Sequence, residues 1–176
     1  MLRVVGGIYK RRKLEQPPLN ITRATKDIAK EGLFNSLGDI KNKTFLDCFS
    51  GSGAIAIEAY SRGAKVTLIE NNLEAIKTIK NNLNSLKITE ICTHFDDFYK
   101  VINKINNSFN YVFIDPPYIY NIDLEFVNNL YKLNIINLDS VIIIERDKEL
   151  DKELLDKFNF KLLKYSKTLM YILRSK

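Results

Sequence analysis

The apolar run Tyr111-Val112-Phe113-Ile114 is followed directly by Asp115-Pro116-Pro117-Tyr118. This pattern is typical of a buried strand that ends at the rim of a parallel sheet and presents a carboxylate and an aromatic ring there. The two prolines fix φ at about −65° at consecutive positions and remove two backbone donors, so the turn is rigid. Its carbonyl oxygens could therefore hold an amino group. Asp-Pro pairs are also common in ordinary strand-ending turns, so the motif needs support from elsewhere in the chain.

A glycine turn lies upstream, where the apolar pair Phe45-Leu46 leads into Asp47-Cys48-Phe49-Ser50-Gly51-Ser52-Gly53 and then into a helical pattern. A strand, a glycine turn and a helix N-terminus in this order direct backbone N–H groups at a ligand. The turn lacks the third glycine of the dinucleotide fingerprint and the Lys-Ser/Thr pair of a P-loop. Asp47 would repel a pyrophosphate and attract an ammonium group.

The next apolar run, Val66-Thr67-Leu68-Ile69, ends in Glu70. An acidic residue at this place binds the hydroxyl groups of an adenosine ribose in many nucleotide-binding sheets. A ligand with a ribose, a cationic head and no phosphate is S-adenosylmethionine. We therefore predict an S-adenosylmethionine site that includes Asp47, Phe49, Ser50, Gly51, Ser52, Gly53, Glu70 and Asn71.

The segment His94-Phe95-Asp96-Asp97-Phe98 ends the following predicted strand. We expect an acidic residue here to bind the adenine amino group and Phe98 to cover the adenine ring. Asp96 is preferred over Asp97, although the choice depends on a one-residue register. The alternative for one of the two aspartates is an N-cap of a helix that begins near Phe98.

These motifs, together with two N-terminal segments, resemble the RsmD-type bacterial 16S rRNA (guanine-N2)-methyltransferases. The N-terminal segments are Arg3-Val4-Val5-Gly6-Gly7 with Arg12-Lys13-Leu14, and Arg23-Ala24-Thr25-Lys26-Asp27-Ile28-Ala29-Lys30-Glu31 with Leu33-Phe34-Asn35. The resemblance runs from Arg3 to the last predicted strand. Three positions depart from the family pattern: Ala24 replaces a proline, Ile28 a basic residue and Ser166 a glycine.

The resemblance implies methylation of the exocyclic N2 amine of a guanine, the one usually numbered 966 in 16S rRNA. The substrate would be the small ribosomal subunit or its assembly intermediate, and the catalytic residues would be Asp115, Pro116, Pro117 and Tyr118. DNA adenine-N6 and protein glutamine-N5 methylation stay open, because Asp/Asn-Pro-Pro-aromatic turns serve those amines too. A further alternative is an RNA-binding assembly factor without catalysis.

Length and composition predict one domain over residues 1–176. The resemblance implies that it is a methyltransferase domain, with a basic extension over 1–40 and a catalytic core over 41–176. The chain is 45% hydrophobic, which is enough for a sizeable core. It has no run of 18 apolar residues and no signal-peptide pattern, so we expect a cytoplasmic monomer without a membrane partner. Cys48 and Cys92 are expected to be buried reduced thiols, and with the single His94 they predict no metal site.

The positive charge is concentrated at the N-terminus. Residues 1–30 contain eight basic and two acidic side chains, a net of +6, which equals the net charge of the whole chain. Such a concentration predicts contact with nucleic acid, although a solvated face is the alternative. The predicted RNA-binding residues are Arg3, Lys10, Arg11, Arg12, Lys13, Arg23, Lys26 and Lys30.

The remaining pattern alternates strands and helices and predicts an α/β fold, Rossmann-like, with a mostly parallel seven-stranded sheet. Strands are predicted near 44–49, 65–70, 88–94, 110–115 and 140–145, and a terminal antiparallel hairpin is predicted from 158–165 and 169–173. Helices are predicted near 53–62, 72–86, 97–105, 122–133 and 148–157. An N-terminal hairpin or extended arm is predicted over 2–15, followed by a helix over 24–38 with Ile28, Leu33, Phe34 and Leu37 facing inward.

Overall fold

The computed structural model describes residues 2–18, 27–117 and 121–176. Four residues singled out from the sequence, Arg23, Ala24, Lys26 and Tyr118, lie outside the described residues.

The described part of the chain contains nine strands and six α-helices in alternating order. The strands are β1 Leu2–Arg3, β2 Lys13–Leu14, β3 Thr44–Asp47, β4 Lys65–Ile69, β5 Cys92–His94, β6 Tyr111–Ile114, β7 Val141–Arg146, β8 Phe158–Tyr165 and β9 Thr168–Ser175. The helices are α1 Asp27–Leu37, α2 Ala54–Ser61, α3 Leu73–Leu86, α4 Phe98–Ile102, α5 Leu124–Lys132 and α6 Lys152–Leu155. Within the described ranges, every helix is too short or too polar to cross a lipid bilayer.

Seven strands form one sheet in the order β5-β4-β3-β6-β7-β9-β8. The first five strands in this order are parallel, whereas β9 runs antiparallel to both β7 and β8. This arrangement confirms the predicted Rossmann-like α/β fold with its terminal antiparallel hairpin.

The two faces of the sheet pack into separate hydrophobic clusters, and this explains the continuous apolar runs of the central strands. Phe113 and Ile143 belong to the cluster that also holds the inner faces of α1, α2 and α3. Val112 and Ile144, one position away on the same strands, belong to the cluster with α4 and α5. Because side chains alternate along a strand, both faces of β6 and β7 must be apolar.

Three sequence expectations are corrected. Ile28 is 72% exposed, because it lies outside the buried face of α1. That face includes Ala29, the residue directly after Ile28, and Leu33, about one turn further along the helix. Cys48 is buried as expected, whereas Cys92 is exposed on the edge strand β5. The helix predicted over 148–157 is confined to Lys152–Leu155.

The N-terminal segment forms the predicted hairpin, with Leu2 paired to Leu14 and a short 3₁₀ helix over Gly7–Tyr9 at its tip. The hairpin is fixed to α2 because the buried Glu58 carboxylate accepts a 2.7 Å hydrogen bond from the Val5 backbone. At Gly7, where φ is +70°, a Cβ would lie 1.8 Å from the Ser61 carbonyl oxygen. Only glycine permits this close approach of the hairpin to the C-terminal end of α2.

Candidate active site

Acidic side chains lie at the carboxyl ends of all five neighbouring parallel strands. In sheet order they are Asp96 after β5, Glu70 after β4, Asp47 in β3, Asp115 after β6 and Glu145 in β7. The carboxyl ends of parallel strands form the ligand-binding edge of an open α/β sheet. The fold therefore brings Asp47, Glu70, Asp96 and Asp115, all predicted from the sequence, to one rim. Glu145, which the sequence analysis did not single out, lies there as well.

The glycine turn folds back tightly between β3 and α2. Gly51 and Gly53 have φ of 54° and 76°, in the left-handed region that favours glycine. The Gly53 N–H donates to the Ser50 carbonyl over 2.7 Å, and Gly53 caps α2. A Cβ on Gly53 would meet the Ile79 side chain at 3.3 Å, so this position faces the neighbouring helix as well as the turn. Gly53 is thus required by backbone conformation and helix packing, and not solely by approach of a ligand.

Asp47 is 1% exposed, and one of its carboxylate oxygens is satisfied by the Ala56 N–H at 3.2 Å. The other, Oδ1, is buried and has no hydrogen-bond partner among the described residues. Burial, assisted by the nearby Glu70 and Glu145 carboxylates, raises the pKa of Asp47 to about 7. An orphaned buried carboxylate oxygen at the mouth of a glycine turn fits a cationic ligand group.

Glu70 ties the glycine turn to the start of α3. Its Oε2 accepts a hydrogen bond from the Gly51 N–H at 2.7 Å, and its Oε1 accepts from the Asn71 and Asn72 N–H groups at 2.9 and 2.8 Å. An ionised carboxylate has about four acceptor sites, so these three donors leave capacity for a ribose hydroxyl. The assignment of Glu70 to the ribose stays a prediction, and the structure adds a second role for it in shaping the turn.

The two aspartates after β5 have different roles. Asp97 is the N-cap of α4, and its Oδ1 accepts from the Tyr99 and Lys100 N–H groups at 3.0 and 3.2 Å. Asp96 is exposed, accepts from the Asp97 N–H and lies 3.6 Å from the Lys100 ammonium group. The capping alternative therefore applies to Asp97, which leaves Asp96 as the candidate for adenine.

The ring of Phe98 is not placed to cover a ligand. It is 2% exposed, and its centroid lies 4.8 Å from that of Phe49 and 5.8 Å from that of Phe126. Because aromatic neighbours already occupy its surroundings, Phe98 belongs to the core below the rim. The more exposed aromatic ring at this end of α4 is Tyr99, which is 40% exposed.

The Asp-Pro-Pro turn follows β6 directly. Asp115 is partly buried, Pro116 is buried and Pro117 is exposed. The preceding strand lies beside β3, where the Cys48 N–H donates to the Phe113 carbonyl over 3.0 Å. The Asp-Pro-Pro turn and the glycine turn are therefore neighbours on the same rim.

The predicted RNA-binding side chains are only partly available. Lys10, Arg11, Arg12 and Lys13 are exposed. Arg3 is exposed but pairs with Asp27 at 2.9 Å. The prediction that Lys30 binds RNA is wrong. Lys30 is fully buried, donates to the Arg3 carbonyl and lies 3.4 Å from the Asp27 carboxylate. Burial lowers the pKa of Lys30, and its ammonium group cannot reach a phosphate.

The tip of the hairpin lies away from the rim. Tyr9 stacks on Tyr60 near the end of α2, and the Arg12 guanidinium donates to the carbonyl of Ser85 near the end of α3. Helix α2 begins at the glycine turn of the rim, and Tyr60 lies near its opposite end. The hairpin tip therefore packs near the C-terminal ends of α2 and α3, whereas the Asp-Pro-Pro turn directly follows β6. Its contact with RNA phosphates stays a prediction.

Asn82, which the sequence analysis missed, connects the hairpin to the glycine turn. It is 1% exposed; its Oδ1 accepts from the Glu15 N–H at 2.8 Å and its Nδ2 donates to the Ser52 carbonyl at 3.0 Å. Its signal in the sequence is an asparagine on the mostly apolar stripe of α3. For Glu145 the signal is an acid directly after four apolar residues of β7, the same pattern that identified Glu70.

Among residues 2–18, 27–117 and 121–176, no group of three His, Cys, Asp or Glu side chains is arranged to hold a metal ion. The carboxylates of the rim are thus spread along the sheet edge rather than gathered around one point.

Comparison with known proteins shows that the chain is similar to a family of methyltransferases. The sequence profile of the family described as conserved hypothetical protein 95 matches residues 2–171. The ribosomal RNA small subunit methyltransferase D of Haemophilus influenzae is 35% identical over 176 residues, covering 95% of this chain and 89% of the relative. The protein of the same name from Buchnera aphidicola is 33% identical over 170 residues, covering 95% and 87%. The solved structure of Escherichia coli yhhF matches with a TM-score of 0.82 at 25% identity, covering 99% of this chain and 98% of that chain.

Proposed function

The chain belongs to the conserved hypothetical protein 95 family, the RsmD-type methyltransferases, and we propose on this premise that it methylates the exocyclic N2 amine of a guanine in 16S rRNA. Its general activity is that of an S-adenosylmethionine-dependent rRNA methyltransferase. Guanine 966 on the small ribosomal subunit, or on its assembly intermediate, is the proposed target.

One observation carries the proposal: the glycine turn after β3 and the Asp-Pro-Pro turn after β6 lie on adjacent strands of the same rim. A cofactor bound at the first turn and an amine bound at the second would be neighbours. Methyl transfer between two bound groups is mainly a problem of positioning, and a rigid rim meets this requirement.

The cofactor would be held by residues at three places on the rim. Asp47 Oδ1 would bind the ammonium group, Glu70 the ribose hydroxyls and Asp96 the adenine amino group. Ser50, Gly51 and Ser52 would surround the methionine end with backbone groups. When bound, S-adenosylmethionine supplies an electrophilic methyl group.

The protein's contribution to the reaction is to hold and activate the amine. The guanine N2 lone pair is delocalised into the ring, so N2 is a poor nucleophile until its hydrogens are held and it pyramidalises. Asp115 would accept one N–H hydrogen bond and the Pro116 carbonyl the other. Because a neutral aryl amine is a very weak acid, the proton should leave late, as positive charge develops on nitrogen beside Asp115.

Two further features serve a large RNA substrate. Tyr118 would stack on the extruded base, which is worth roughly 1–3 kcal/mol. The hairpin tip with Lys10-Arg11-Arg12-Lys13 would bind phosphates of the same substrate outside the site of the reacting amine. A substrate that spans both places must have a defined shape, and a folded RNA or a ribosomal particle provides one.

The test is transfer of a tritiated methyl group to free 16S rRNA, to small ribosomal subunits lacking the modification and to duplex DNA. Digestion and chromatography of the labelled nucleic acid identify the methylated nucleoside. We expect N2-methylguanosine from rRNA or from the particle. Methylated adenine in DNA, or label only in added protein, would support the other methyltransferase alternatives. RNA binding without any transfer would support a non-catalytic assembly factor.

A further inference from the structure

Glu145 stands level with Asp115 at the rim. The parallel pairing of β6 with β7 ends with Ile114 opposite Ile144. The next residues along the chain are Asp115, directly after β6, and Glu145, within β7. Residues at the same level of adjacent strands lie about 5 Å apart and project to the same face of the sheet. Whatever amine the Asp-Pro-Pro turn binds therefore lies next to the Glu145 position.

The direction and burial of the Glu145 side chain fit this placement. On the antiparallel side of β7 its partner is Met170, which belongs to the same cluster as Phe113 and Ile143. Glu145 is 9% exposed, and its charge lies close enough to Asp47 to raise the pKa of that carboxyl group. Its carboxylate is thus on the face of the sheet to which Asp47 contributes.

Burial of a charged carboxylate costs free energy, and each hydrogen bond that the carboxylate accepts reduces this cost. The Watson–Crick edge of guanine offers two adjacent donors, the N2 amine and N1–H, separated by one ring carbon. If Asp115 and Pro116 receive the hydrogens of N2, N1–H is the donor next to them. Acceptors on two neighbouring strands could converge on this pair of donors.

We propose that Glu145 accepts a hydrogen bond from N1–H of the target guanine and thereby determines the choice of base. This inference rests on the proposed function and goes beyond it, because it assigns the discrimination between bases to a residue of β7. By drawing the N1 proton toward itself, the carboxylate would also raise the electron density of the ring and make the N2 amine more nucleophilic.

The same contact excludes the alternative amines. Adenine has an unprotonated acceptor at N1, and a carboxylate facing it would be repelled. A glutamine side chain has no second donor beyond its own amide nitrogen, so it offers no hydrogen to Glu145 once Asp115 and Pro116 hold that nitrogen. Two neighbouring acidic acceptors therefore match guanine and select against adenine and glutamine.

The test compares guanine with 2-aminopurine, which carries the same N2 amine but has an acceptor at N1 instead of N–H. Small ribosomal subunits are reconstituted with either base at the methylated position, and kcat/KM is measured for the wild type, Glu145→Gln and the control Glu149→Gln on the exposed loop after β7. The wild type should disfavour 2-aminopurine by about 100-fold or more. Glu145→Gln should lose about 100-fold on guanine and shift the ratio toward 2-aminopurine by at least about tenfold, because the amide of glutamine can donate to N1.

The outcomes separate this inference from the proposed function. Absence of N2-methylguanosine with the wild type on guanine particles would overturn the proposed function itself. Wild-type activity that is equal on the two bases would overturn the role of Glu145 without any variant. An active Glu145→Gln protein with normal cofactor affinity and an unchanged base ratio would overturn it as well, whereas Glu149→Gln should match the wild type throughout.

Discussion

The carboxylate of Glu70 lies 2.7 Å from the backbone nitrogen of Gly51 and accepts its hydrogen. The second carboxylate oxygen holds the N–H groups of Asn71 and Asn72. One side chain therefore shapes the glycine turn and the entrance to α3, and it is also the candidate ligand of the ribose. Loss of Glu70 should affect both the turn and the cofactor.

Glu70→Ala is expected to weaken S-adenosylhomocysteine binding by about 10–150-fold, which corresponds to about 1.5–3 kcal/mol for a charge-assisted hydrogen bond. The melting temperature should fall as well, because three backbone donors lose their acceptor. Glu74→Ala, on the exposed face of α3, is the matched control and should change neither quantity. Calorimetric titration that finds unchanged affinity for Glu70→Ala would remove Glu70 from the cofactor site.

Asp115→Ala is expected to abolish methyl transfer while S-adenosylhomocysteine affinity stays close to that of the wild type. The reason is that the carboxylate is assigned to the amine of the base and not to the cofactor. Tyr118→Ala should lose less activity and Tyr118→Phe little, because stacking requires a ring and no hydroxyl. Single-turnover transfer and calorimetry separate the two effects, and Asp139→Ala, on an exposed turn, serves as the control. A Tyr118→Phe protein as inactive as Asp115→Ala would show that the hydroxyl takes part in the chemistry.

Cofactor affinity should depend on pH through Asp47, because burial raises the pKa of this carboxyl group to about 7 from an ordinary value of 3.8. The ammonium group of the ligand favours the ionised form, so S-adenosylhomocysteine binding should tighten by about tenfold between roughly pH 6 and 7.5.

The folding stability of the free protein should change with pH in the opposite direction. Because the pKa of Asp47 is higher in the folded than in the unfolded protein, stability is lost as pH rises from the unfolded pKa through about 7. Asp47→Asn should remove both dependences. A wild-type affinity that is flat over this range would contradict the assignment of Asp47 to the ammonium group.

The sequence predicted the sheet and the glycine turn because their signals are local. Continuous apolar runs, the glycine spacing and the acid after Ile69 are each contained in fewer than ten residues. The role of Phe98 was wrong for a different reason: whether a ring covers a ligand or packs on Phe49 and Phe126 depends on helix rotation, which periodicity does not fix.

Burial of charged residues was the other quantity that the sequence did not reveal. Lys30 looked like part of a basic surface, but its helical position places it beside the Arg3 carbonyl and the Asp27 carboxylate. The position of the hairpin tip could not be predicted either, because it depends on contacts of Gly7 and Tyr9 with Ser61, more than fifty residues away. Local patterns carry no information on such distant pairings.

Ser166→Gly should stabilise the protein. Ser166 begins the two-residue turn between Tyr165 and Thr168 and has a φ of 58°, where glycine is favoured over serine. Relief of the left-handed strain should raise the free energy of unfolding by about 1 kcal/mol, measured by urea denaturation. Lys167→Gly is the control for added chain flexibility: its φ is not among the positive ones, so it should be neutral or destabilising. A Ser166→Gly protein no more stable than the wild type would show that the turn is unstrained.

Neutralising the hairpin tip should weaken RNA binding without affecting the cofactor. In the variant with alanine at Lys10, Arg11, Arg12 and Lys13, the slope of log affinity against log salt should flatten by about 0.7–0.9 for each phosphate that is no longer neutralised. Affinity for S-adenosylhomocysteine should be unchanged, because the four side chains are exposed on the hairpin and none belongs to the proposed cofactor site. The matched control replaces four exposed lysines elsewhere, Lys148, Lys152, Lys157 and Lys167, and removes the same charge. If the two quadruple variants lose RNA affinity equally, the tip acts only through net charge; if the hairpin variant keeps wild-type affinity, salt slope and turnover on small subunits, the hairpin does not touch the substrate.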